Sequence, residues 1–358
     1  GYATNPPRYT VAPATHEVRV KPSVKHTRPR TVAVILRDFP LEDTLLDELI
    51  AIQEKIHASF GRNRKKVSIG IYPLAECTFP VTYAGEAPDS IVFRPLESEE
   101  EMTGEQILEY HEKGKMFRHL LTGMSHYPVF RDANGEVLSM PPIINSHYTG
   151  RVTTEHRDLF IECSGYNQAY LDNIMKVMVT TFIEMGATAE AVKVVYEEDD
   201  ETYTLDLTNE EDTLSLSAVN RLIGAEIPKE EIERYLNKMM YGLKAKEGDT
   251  LHIEIPAFRS DVWHDVDIAD DIARAYGYNN ITPRFPNIAT IGGQLPFSRM
   301  RERYTESMVS LGFQEIYSYI LTSTQDQFDG MGLDAQAYDY IRLIDSAEEG
   351  INMCRIHI

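Results

Sequence analysis

The chain has 358 residues, of which 42% are hydrophobic, and its 35 Lys and Arg against 56 Asp and Glu give a net charge of −21. This length suits two or three domains, and the charge should repel nucleic acid at long range. Cys77, Cys163 and Cys354 form no CxxC pair, which argues against a zinc site and a disulfide framework. Because no apolar run approaches the roughly 20 residues of a membrane span, we expect a cytoplasmic protein without membrane association.

The first elements are predicted from composition and apolar spacing. Residues 1–30 are proline-rich and locally basic, which predicts an irregular extended segment, and the strand pattern TVAVILR follows at 31–37. Apolar residues then recur at helical spacing within 41–60, and Gly61 suits the position just after a helix. The basic turn GRNRKK leads into the strand pattern VSIGIY at 67–72.

Local turn and capping signals predict the next elements. Thr103 with Gln106 forms a capping-box signature, which predicts a helix over about 104–113. The Asn-Gly pair between the apolar runs YPVFRD and VLSM predicts a β-hairpin. A helix pattern covers 166–185 and the strand VKVVYE follows it, whereas the acidic run 197–201 is typical of a loop at a domain boundary.

From about residue 202 the chain alternates short helices with a hairpin, an order that resembles a winged-helix module. The elements of this module are a helix ending at Gly224, a helix over 229–240, a hairpin around Gly248-Asp249 and a helix over 266–276. After it we predict a linker over 282–296, a helix over 297–311 and a strand over 312–323.

Polar residues interrupt two apolar, strand-like runs, VLSMPPIIN and LFIECSG, between Val137 and Gly165. A buried polar group costs roughly 1–3 kcal/mol if it finds no partner, so this placement indicates a pocket. Pro141 and Pro142 would remove ladder hydrogen bonds and leave neighbouring backbone groups free to line a cavity. Taken alone, a serine such as Ser139 is more often a satisfied core residue.

Together with IQEKIHASFGRNRKKVSIG, the runs SMPPIIN and LFIECSG resemble the editing domain of the β subunit of phenylalanyl-tRNA synthetase, of the archaeal and eukaryotic type. The resemblance covers about residues 30–323 and implies a multidomain α+β protein. In that family the β chain begins with a further N-terminal segment and continues well beyond the residues matched here, into a catalytic-like module. The implied parts are an N-terminal extended segment (1–30), a mixed-sheet editing domain (31–200), a winged-helix-like domain with an acidic helix (201–283), and a linker with the start of an inactive class II synthetase-like antiparallel α/β module (284–358).

Editing domains of this family hydrolyse Tyr-tRNA(Phe), and a site that hydrogen-bonds the tyrosine hydroxyl can reject phenylalanine by roughly 10⁴–10⁵. The resemblance implies that Glu162 accepts the phenol hydroxyl. It implies that Ser139 and Asn145 hold the ester and position water. Since the sequence contains no GxSxG elbow, we expect positioning and oxyanion stabilisation rather than a covalent nucleophile.

The resemblance also implies the remaining walls of the pocket. Pro141 and Pro142 belong to it, and Ser164 stands where the family usually has Thr. Phe130 stands where Leu or Ile is usual, and we expect its larger ring to narrow the pocket.

Four acids, Asp261, Asp267, Asp270 and Asp271, cluster in SDVWHDVDIADDIARAYGYNNI. The last three fall at i, i+3 and i+4, so they share one helical face near its N-terminus. Carboxylates suit Mg²⁺, although acids in a first turn more often complement the helix dipole. The resemblance implies that all four are magnesium ligands, with weaker ligation at Asp270, where Glu is usual.

The basic turn gives a local positive charge in an acidic chain, through Arg62, Arg64, Lys65 and Lys66. It is either a contact for the tRNA 3′ end or a turn of solvated charges, and Arg62 is the residue we expect to meet substrate. The histidines, His57 included, show no ligand spacing and are expected in core or surface roles.

The leading hypothesis is the β subunit of an α₂β₂ phenylalanine–tRNA ligase, in which the α subunit holds the amino acid and ATP site and this chain edits Tyr-tRNA(Phe). One alternative is a non-catalytic structural or nucleic-acid-binding subunit, or a paralogue, with a vestigial pocket. A weaker alternative is a free-standing hydrolase that acts without an α subunit.

Overall fold

A computed structural model describes residues 6–198, 201–344, 346, 348 and 350–356. The chain divides into two compact units, one ending at Pro283 and the other beginning at Arg284. The predicted domain boundary at residue 200, within the acidic run 197–201, falls on residues 199 and 200, which lie outside the described residues. Among the described helices, none has the length and apolarity needed to cross a membrane.

A mixed sheet organises the first unit, and ten of its strands lie in the described residues, in the order β3-β10-β2-β11-β1-β4-β7-β8-β9 with β12 beside β11. Two short strands, β5 and β6, pair separately. The strands are β1 Val11–Val20, β2 Arg30–Arg37, β3 Val67–Pro73, β4 Val81–Glu86, β5 Val92–Phe93, β6 Met102–Thr103, β7 Tyr127–Arg131, β8 Val137–Met140, β9 Ile144–Asn145, β10 Leu159–Gly165, β11 Thr188–Tyr196 and β12 Glu201–Tyr203.

Strand β1 lies inside this sheet, parallel to both β11 and β4. The prediction of a separate segment over 1–30 is therefore corrected: residues 11–20 are extended, but they belong to the sheet. Composition misled because Pro13 cannot donate a ladder hydrogen bond, and the register shifts between Ala12 and His16. The strand therefore lacks the regular alternation that identifies a half-buried strand.

Two long helices cover one face of the sheet, as their apolar spacing predicted. Their side chains, such as Leu49 and Phe182, pack against β2, β3 and β10 in one core. The capping box of Thr103 and Gln106 is confirmed, and so is the Asn-Gly hairpin, as β7 and β8. The helices of this region are α1 Asp43–Ala58, α2 Gly104–Tyr110, α3 Glu112–Phe117 and α4 Gln168–Glu184.

The other face of the sheet folds over itself. Phe130 of β7 lies in the same core as Tyr72 of β3 and Phe160 of β10, although these strands are far apart in the sheet order. At the ends of that order, Asn145 Nδ2 of β9 donates to the carbonyl of Ile71 on β3 across 3.3 Å. The two edges of the curled sheet thus meet, and we call this junction of β3 with β8 and β9 the seam.

A smaller sheet follows, with the order β13-β15-β14 in the described residues. The predicted hairpin at Gly248-Asp249 is confirmed as β14 and β15. Arg8 ties this sheet to the N-terminal chain, because its Nε and Nη2 donate to both oxygens of Glu254 at 2.9 and 2.7 Å. The elements are β13 Glu210–Ser215, α5 Leu216–Ile223, α6 Lys229–Lys238, β14 Gly242–Glu247, β15 Thr250–Ile255 and α7 Asp265–Tyr276.

The second unit contains helix α8, Pro296–Ser310, and the short pair β16 Leu321–Thr322 and β17 Met353–Cys354. The predicted helix over 297–311 is confirmed, but the predicted strand over 312–323 is wrong except at its last residues. In the part of the chain described, no strand pairs with residues 313–320. Apolar and β-prone residues do not form a strand without a hydrogen-bonded neighbour.

Phe182→Ala is expected to lower the free energy of unfolding by about 3–5 kcal/mol, because the ring is fully buried on α4 and its loss leaves a cavity. Phe60 is 45% exposed, so Phe60→Ala is the control and should cost about 1 kcal/mol or less. Denaturant unfolding followed by circular dichroism measures both. A loss at Phe182 no larger than at Phe60 would contradict the described core.

Candidate functional site

A cavity of about 300 Å³ opens at the seam, between α1, β3, β10 and the turn that joins β8 to β9. The predicted pocket residues Ser139, Pro141, Pro142, Asn145 and Glu162 all line it. Residues that the sequence did not single out for the pocket also line it, among them Glu54, His57, Arg64, Ser68, Ile69, Ile71, Glu97, Lys113, Ile143, Arg151 and Val152.

Glu162 lies in the middle of β10 and is 1% exposed. Its neighbours on the flanking strands are small, Ala33 on β2 and Gly70 on β3. A Cβ at position 70 would overlap both the Tyr72 hydroxyl and Glu162 Oε1. The glycine therefore provides the space that the carboxyl occupies.

Tyr72 joins the two polar walls of the cavity. Its hydroxyl lies 2.6 Å from Ser139 Oγ and 3.1 Å from Glu162 Oε1. Burial raises the pKa of Tyr72, so the phenol keeps its proton. Because a phenol carries one proton, one of the two bonds is donated by Tyr72 and the other by its partner.

Burial raises the pKa of Glu162 to about 8, although the Tyr72 hydroxyl and the positive field of Arg28 act in the opposite direction. The carboxyl is therefore mostly protonated at neutral pH. Its second oxygen, Oε2, is buried and has no hydrogen-bond partner among the described residues. Because a buried oxygen without a partner is costly, Oε2 is suited to contact a hydroxyl on a bound molecule.

Arg64 holds the β8–β9 turn. Its Nη1 donates to the carbonyls of Pro142 and Ile143 at 3.3 and 2.9 Å, and its Nη2 donates to Glu54 Oε1 at 2.8 Å. The prolines thus leave backbone carbonyls free for a side-chain donor, as the sequence indicated. Arg62, the cation expected to meet substrate, is instead exposed and outside the cavity lining.

His57 is oriented by contacts to both of its ring nitrogens. Nε2 accepts from the backbone N–H of Ile69 at 2.9 Å, so Nδ1 carries the proton and donates to Glu54 Oε1 at 3.2 Å. Burial lowers the pKa of His57, while the bond from His57 and the charge of Arg64 lower that of Glu54 to about 2. A neutral imidazole with both nitrogens engaged is a structural group, not a free base.

Two predicted wall residues lie behind the cavity, and their assignment is corrected. Phe130 is buried and stacks on Tyr83 with ring centroids 4.2 Å apart, so its ring fills the core of the curled sheet and does not narrow the cavity. Ser164 is also fully buried but does not line the cavity. It lies two residues beyond Glu162 on β10, and its carbonyl accepts from Arg28 Nη2 at 2.7 Å.

Comparisons with known proteins match several parts of the chain. The model of the tRNA synthetase B5 domain matches residues 213–278 and that of the phenylalanyl tRNA synthetase beta chain CLM domain matches residues 281–358. The phenylalanine–tRNA ligase β subunits of Pyrococcus furiosus and Pyrococcus abyssi are 38% and 39% identical over 93% of this chain. A crystal structure of an N-terminal fragment of the phenylalanyl-tRNA synthetase β-subunit from Pyrococcus horikoshii aligns with TM-score 0.73 and 38% identity, covering 76% of this chain and 78% of that one.

The chain belongs to the phenylalanyl-tRNA synthetase β-subunit family. The predicted α+β architecture with a large mixed sheet is confirmed by the same structural match. The chain spans about 60% of the length of the curated relatives that it matches.

The four acids that the family resemblance implied as magnesium ligands do not form a ligand set. Asp261 accepts from Arg259 Nε and Nη2, each at 2.9 Å, and Arg259 Nη2 also contacts Asp271. A guanidinium therefore lies between two of the carboxylates. Among the described residues, no group of three or more His, Cys, Asp or Glu side chains is arranged to hold a metal ion.

The other two acids of the set make local contacts. Asp267 Oδ2 accepts from the backbone N–H groups of Trp263 and His264, both at 2.8 Å, so it caps helix α7. Asp270 pairs with Arg274 at 3.0 Å and accepts from the Tyr278 hydroxyl. Helix capping and ion pairing account for all four acids, which corrects the predicted magnesium site.

The buried acid predicts a pH-dependent stability. Below about pH 4.5 Glu162 is protonated in both folded and unfolded chains; between that value and about 8, only the folded chain keeps the proton. Raising the pH therefore favours unfolding, by up to about 1.4 kcal/mol per pH unit. Glu162→Gln has no proton to release, so its free energy of unfolding should increase relative to wild type across this range.

Denaturant unfolding of both proteins between about pH 5 and pH 9 measures this difference. Glu226→Gln, at an exposed acid, supplies the baseline for the same change at the surface. A Glu162→Gln difference that is independent of pH would show that the carboxyl is not held protonated.

The arrangement of the acids predicts that these four residues do not bind magnesium. Adding MgCl₂ should shift the thermal unfolding midpoint of the chain no more than NaCl at matched ionic strength, and EDTA should leave the midpoint unchanged. Arg259→Met removes the cation between Asp261 and Asp271. Comparing its unfolding midpoint with that of wild type tests whether this cation is what keeps magnesium from the two carboxylates. A saturable, magnesium-specific increase in the wild-type midpoint would contradict this interpretation.

Proposed function

We propose that this chain carries an editing site that hydrolyses Tyr-tRNA(Phe), as part of the β subunit of a phenylalanine–tRNA ligase. The observation that carries the proposal is the buried carboxyl of Glu162 at the cavity, with Oε2 hydrogen-bonded to no described residue. The family membership supports it, because the matched relatives are named as phenylalanine–tRNA ligase β subunits.

The cavity has the composition that a phenol requires. Ile69, Ile71, Ile143 and Val152 give it apolar walls, and Glu162 gives it a hydrogen-bonding group. A tyrosine side chain would bury its ring and satisfy Oε2 with its hydroxyl. Phenylalanine would leave that oxygen unpaired, and such a mismatch is what allows strong rejection of an analogue that lacks a hydroxyl.

Hydrolysis in this site would rely on positioned groups rather than a covalent nucleophile. Ser139 and Asn145 both line the cavity, and each can hydrogen-bond an ester or a water molecule. His57 is engaged through both ring nitrogens. Activation of the ester would therefore come from orientation and oxyanion stabilisation.

The residues that line the cavity are less negative than the chain as a whole, which favours binding of an anionic tRNA end there. Arg64, Lys113 and Arg151 line it, against Glu54 and Glu97, while Glu162 is largely neutral at pH 7. The lining is thus locally slightly positive in a chain of net charge −21. We assign the 3′ end of tRNA(Phe) to this opening, with Arg62 on the exposed turn as an outer contact.

Aminoacylation would take place elsewhere. In the assembly that we propose, an α₂β₂ tetramer, the α subunit holds the phenylalanine and ATP site together with its Mg²⁺, and this chain supports it and edits the product. Because Asp261 and the acids of α7 are used within the chain, we assign them no metal in this scheme.

The proposal is tested by deacylation of Tyr-tRNA(Phe) with the full β chain assembled with its α subunit. Glu162→Ala is expected to reduce kcat/KM roughly 10- to 100-fold, the effect of losing the hydrogen bond to the tyrosine hydroxyl in a buried site. Ser139→Ala should reduce it about 10-fold, the effect of losing one hydrogen bond to a neutral group. Glu226→Ala removes an exposed acid of the same charge and is the control.

Deacylation by wild type no faster than by Glu162→Ala with Ser139→Ala would refute the site assignment. If the complex then still assembled and aminoacylated tRNA normally, the alternative of a structural subunit with a vestigial pocket would replace the proposal. Turnover by the β chain alone would instead support the free-standing hydrolase.

A further inference from the structure

Tyr72 contacts two residues of the site, although the sequence pattern does not predict this role and Tyr72 itself does not line the cavity. It lies in the strand pattern VSIGIY, is fully buried, and stacks on Phe160 with ring centroids 5.6 Å apart. The ring thus belongs to the core of the curled sheet. Only the hydroxyl reaches the two polar groups of the cavity, Ser139 and Glu162.

These two groups lie on strands that do not pair with each other. Ser139 is on β8, whose neighbours are β7 and β9, and Glu162 is on β10, whose neighbours are β2 and β3. The Tyr72 hydroxyl therefore joins them across the seam. This contact fixes Oε1 of the carboxyl, in the space that the absence of a side chain at Gly70 leaves.

A carboxyl has two oxygens that exchange places when the group rotates. If neither oxygen were held, the carboxyl could rotate and hydrogen-bond other groups that line the cavity. Neither oxygen would then be kept in place for a ligand. In this chain Oε1 is occupied by Tyr72, whereas Oε2 has no partner among the residues described. The Tyr72 hydroxyl alone therefore makes the two carboxyl oxygens of Glu162 different in their hydrogen bonding.

We propose that Tyr72 is the positioning residue that sets specificity for a hydroxylated aromatic side chain, by holding Oε1 of Glu162 so that Oε2 alone faces the ligand. The inference rests on the proposed editing function and deepens it. The ligand class is an amino acid or aminoacyl ester whose aromatic ring carries a para hydroxyl. An unsubstituted ring leaves Oε2 without a hydrogen bond.

Tyr72→Phe removes only the hydroxyl and keeps the ring on Phe160. We expect the preference for L-tyrosine over L-phenylalanine, measured by calorimetric titration of this chain, to fall about 10-fold or more. The Tyr-to-Phe ratio of kcat/KM in deacylation should fall similarly. Tyr83→Phe is the matched control, because Tyr83 lies in the same core and its hydroxyl donates to the Arg28 carbonyl at 2.8 Å.

A pH profile separates positioning from general damage to the fold. The Tyr72 bond lowers the pKa of Glu162, so its loss should move the pH dependence of tyrosine binding to higher pH. Tyr83→Phe should leave that profile in place. If Tyr72→Phe does not fold, Gly70→Ala tests the same contact, because its Cβ would displace the Tyr72 hydroxyl and Glu162 Oε1, and it should lower the preference for tyrosine.

The outcomes distinguish this inference from the proposed function. If wild type discriminates and Tyr72→Phe keeps both the preference and the pH profile, the role of Tyr72 is overturned while editing stands. If the assembled wild type hydrolyses no Tyr-tRNA(Phe), the proposed function fails, and the amino acid titrations still decide the role of Tyr72. Wild type that binds tyrosine no better than phenylalanine overturns the inference outright.

Discussion

A carboxyl group in the middle of a sheet is the constraint on which the rest of this site depends. Glu162 has strand neighbours on both sides and almost no exposure, so ionising it without a partner would be costly. The structure meets this cost in three ways. The acid keeps its proton at neutral pH, Tyr72 contacts one of its oxygens, and Gly70 leaves the space for that contact.

The seam needs equally specific support from cations, because it lacks a continuous ladder of backbone hydrogen bonds. Arg64 reaches the β8–β9 carbonyls from a turn in which three successive residues, 62–64, have positive φ, a conformation that costs roughly 1–3 kcal/mol for each such residue. Hydrogen bonds from Arg28 offset part of this conformational cost. This arginine is buried and donates to the carbonyls of Arg64, Lys65 and Ser164, which fixes the turn against β10.

Much of the fold, and the acid itself, could be predicted from sequence, because the signals are local: apolar spacing for α1 and α4, Asn-Gly for the β7–β8 hairpin, a glutamate inside an apolar strand. The missed residues depend on three-dimensional relations. Tyr72 looks like an ordinary strand residue, and its partners are 67 and 90 positions away. Arg64 lies at the cavity instead of Arg62, because the folded turn buries Arg64 and leaves Arg62 exposed, and their spacing in the sequence does not reveal this. Arg259 gives no sign in sequence that it lies between two acids.

The protonated state of Glu162 also bears on how such a site could discriminate. An ionised acid would attract water or a cation into the cavity and would be satisfied without the ligand. A neutral acid attracts both less strongly, so its oxygen remains available to a phenol. The tyrosine hydroxyl then stabilises the charged form more than an empty cavity does, which couples binding to release of the proton. Discrimination by this route depends on a raised pKa, and hence on the burial that the curled sheet provides.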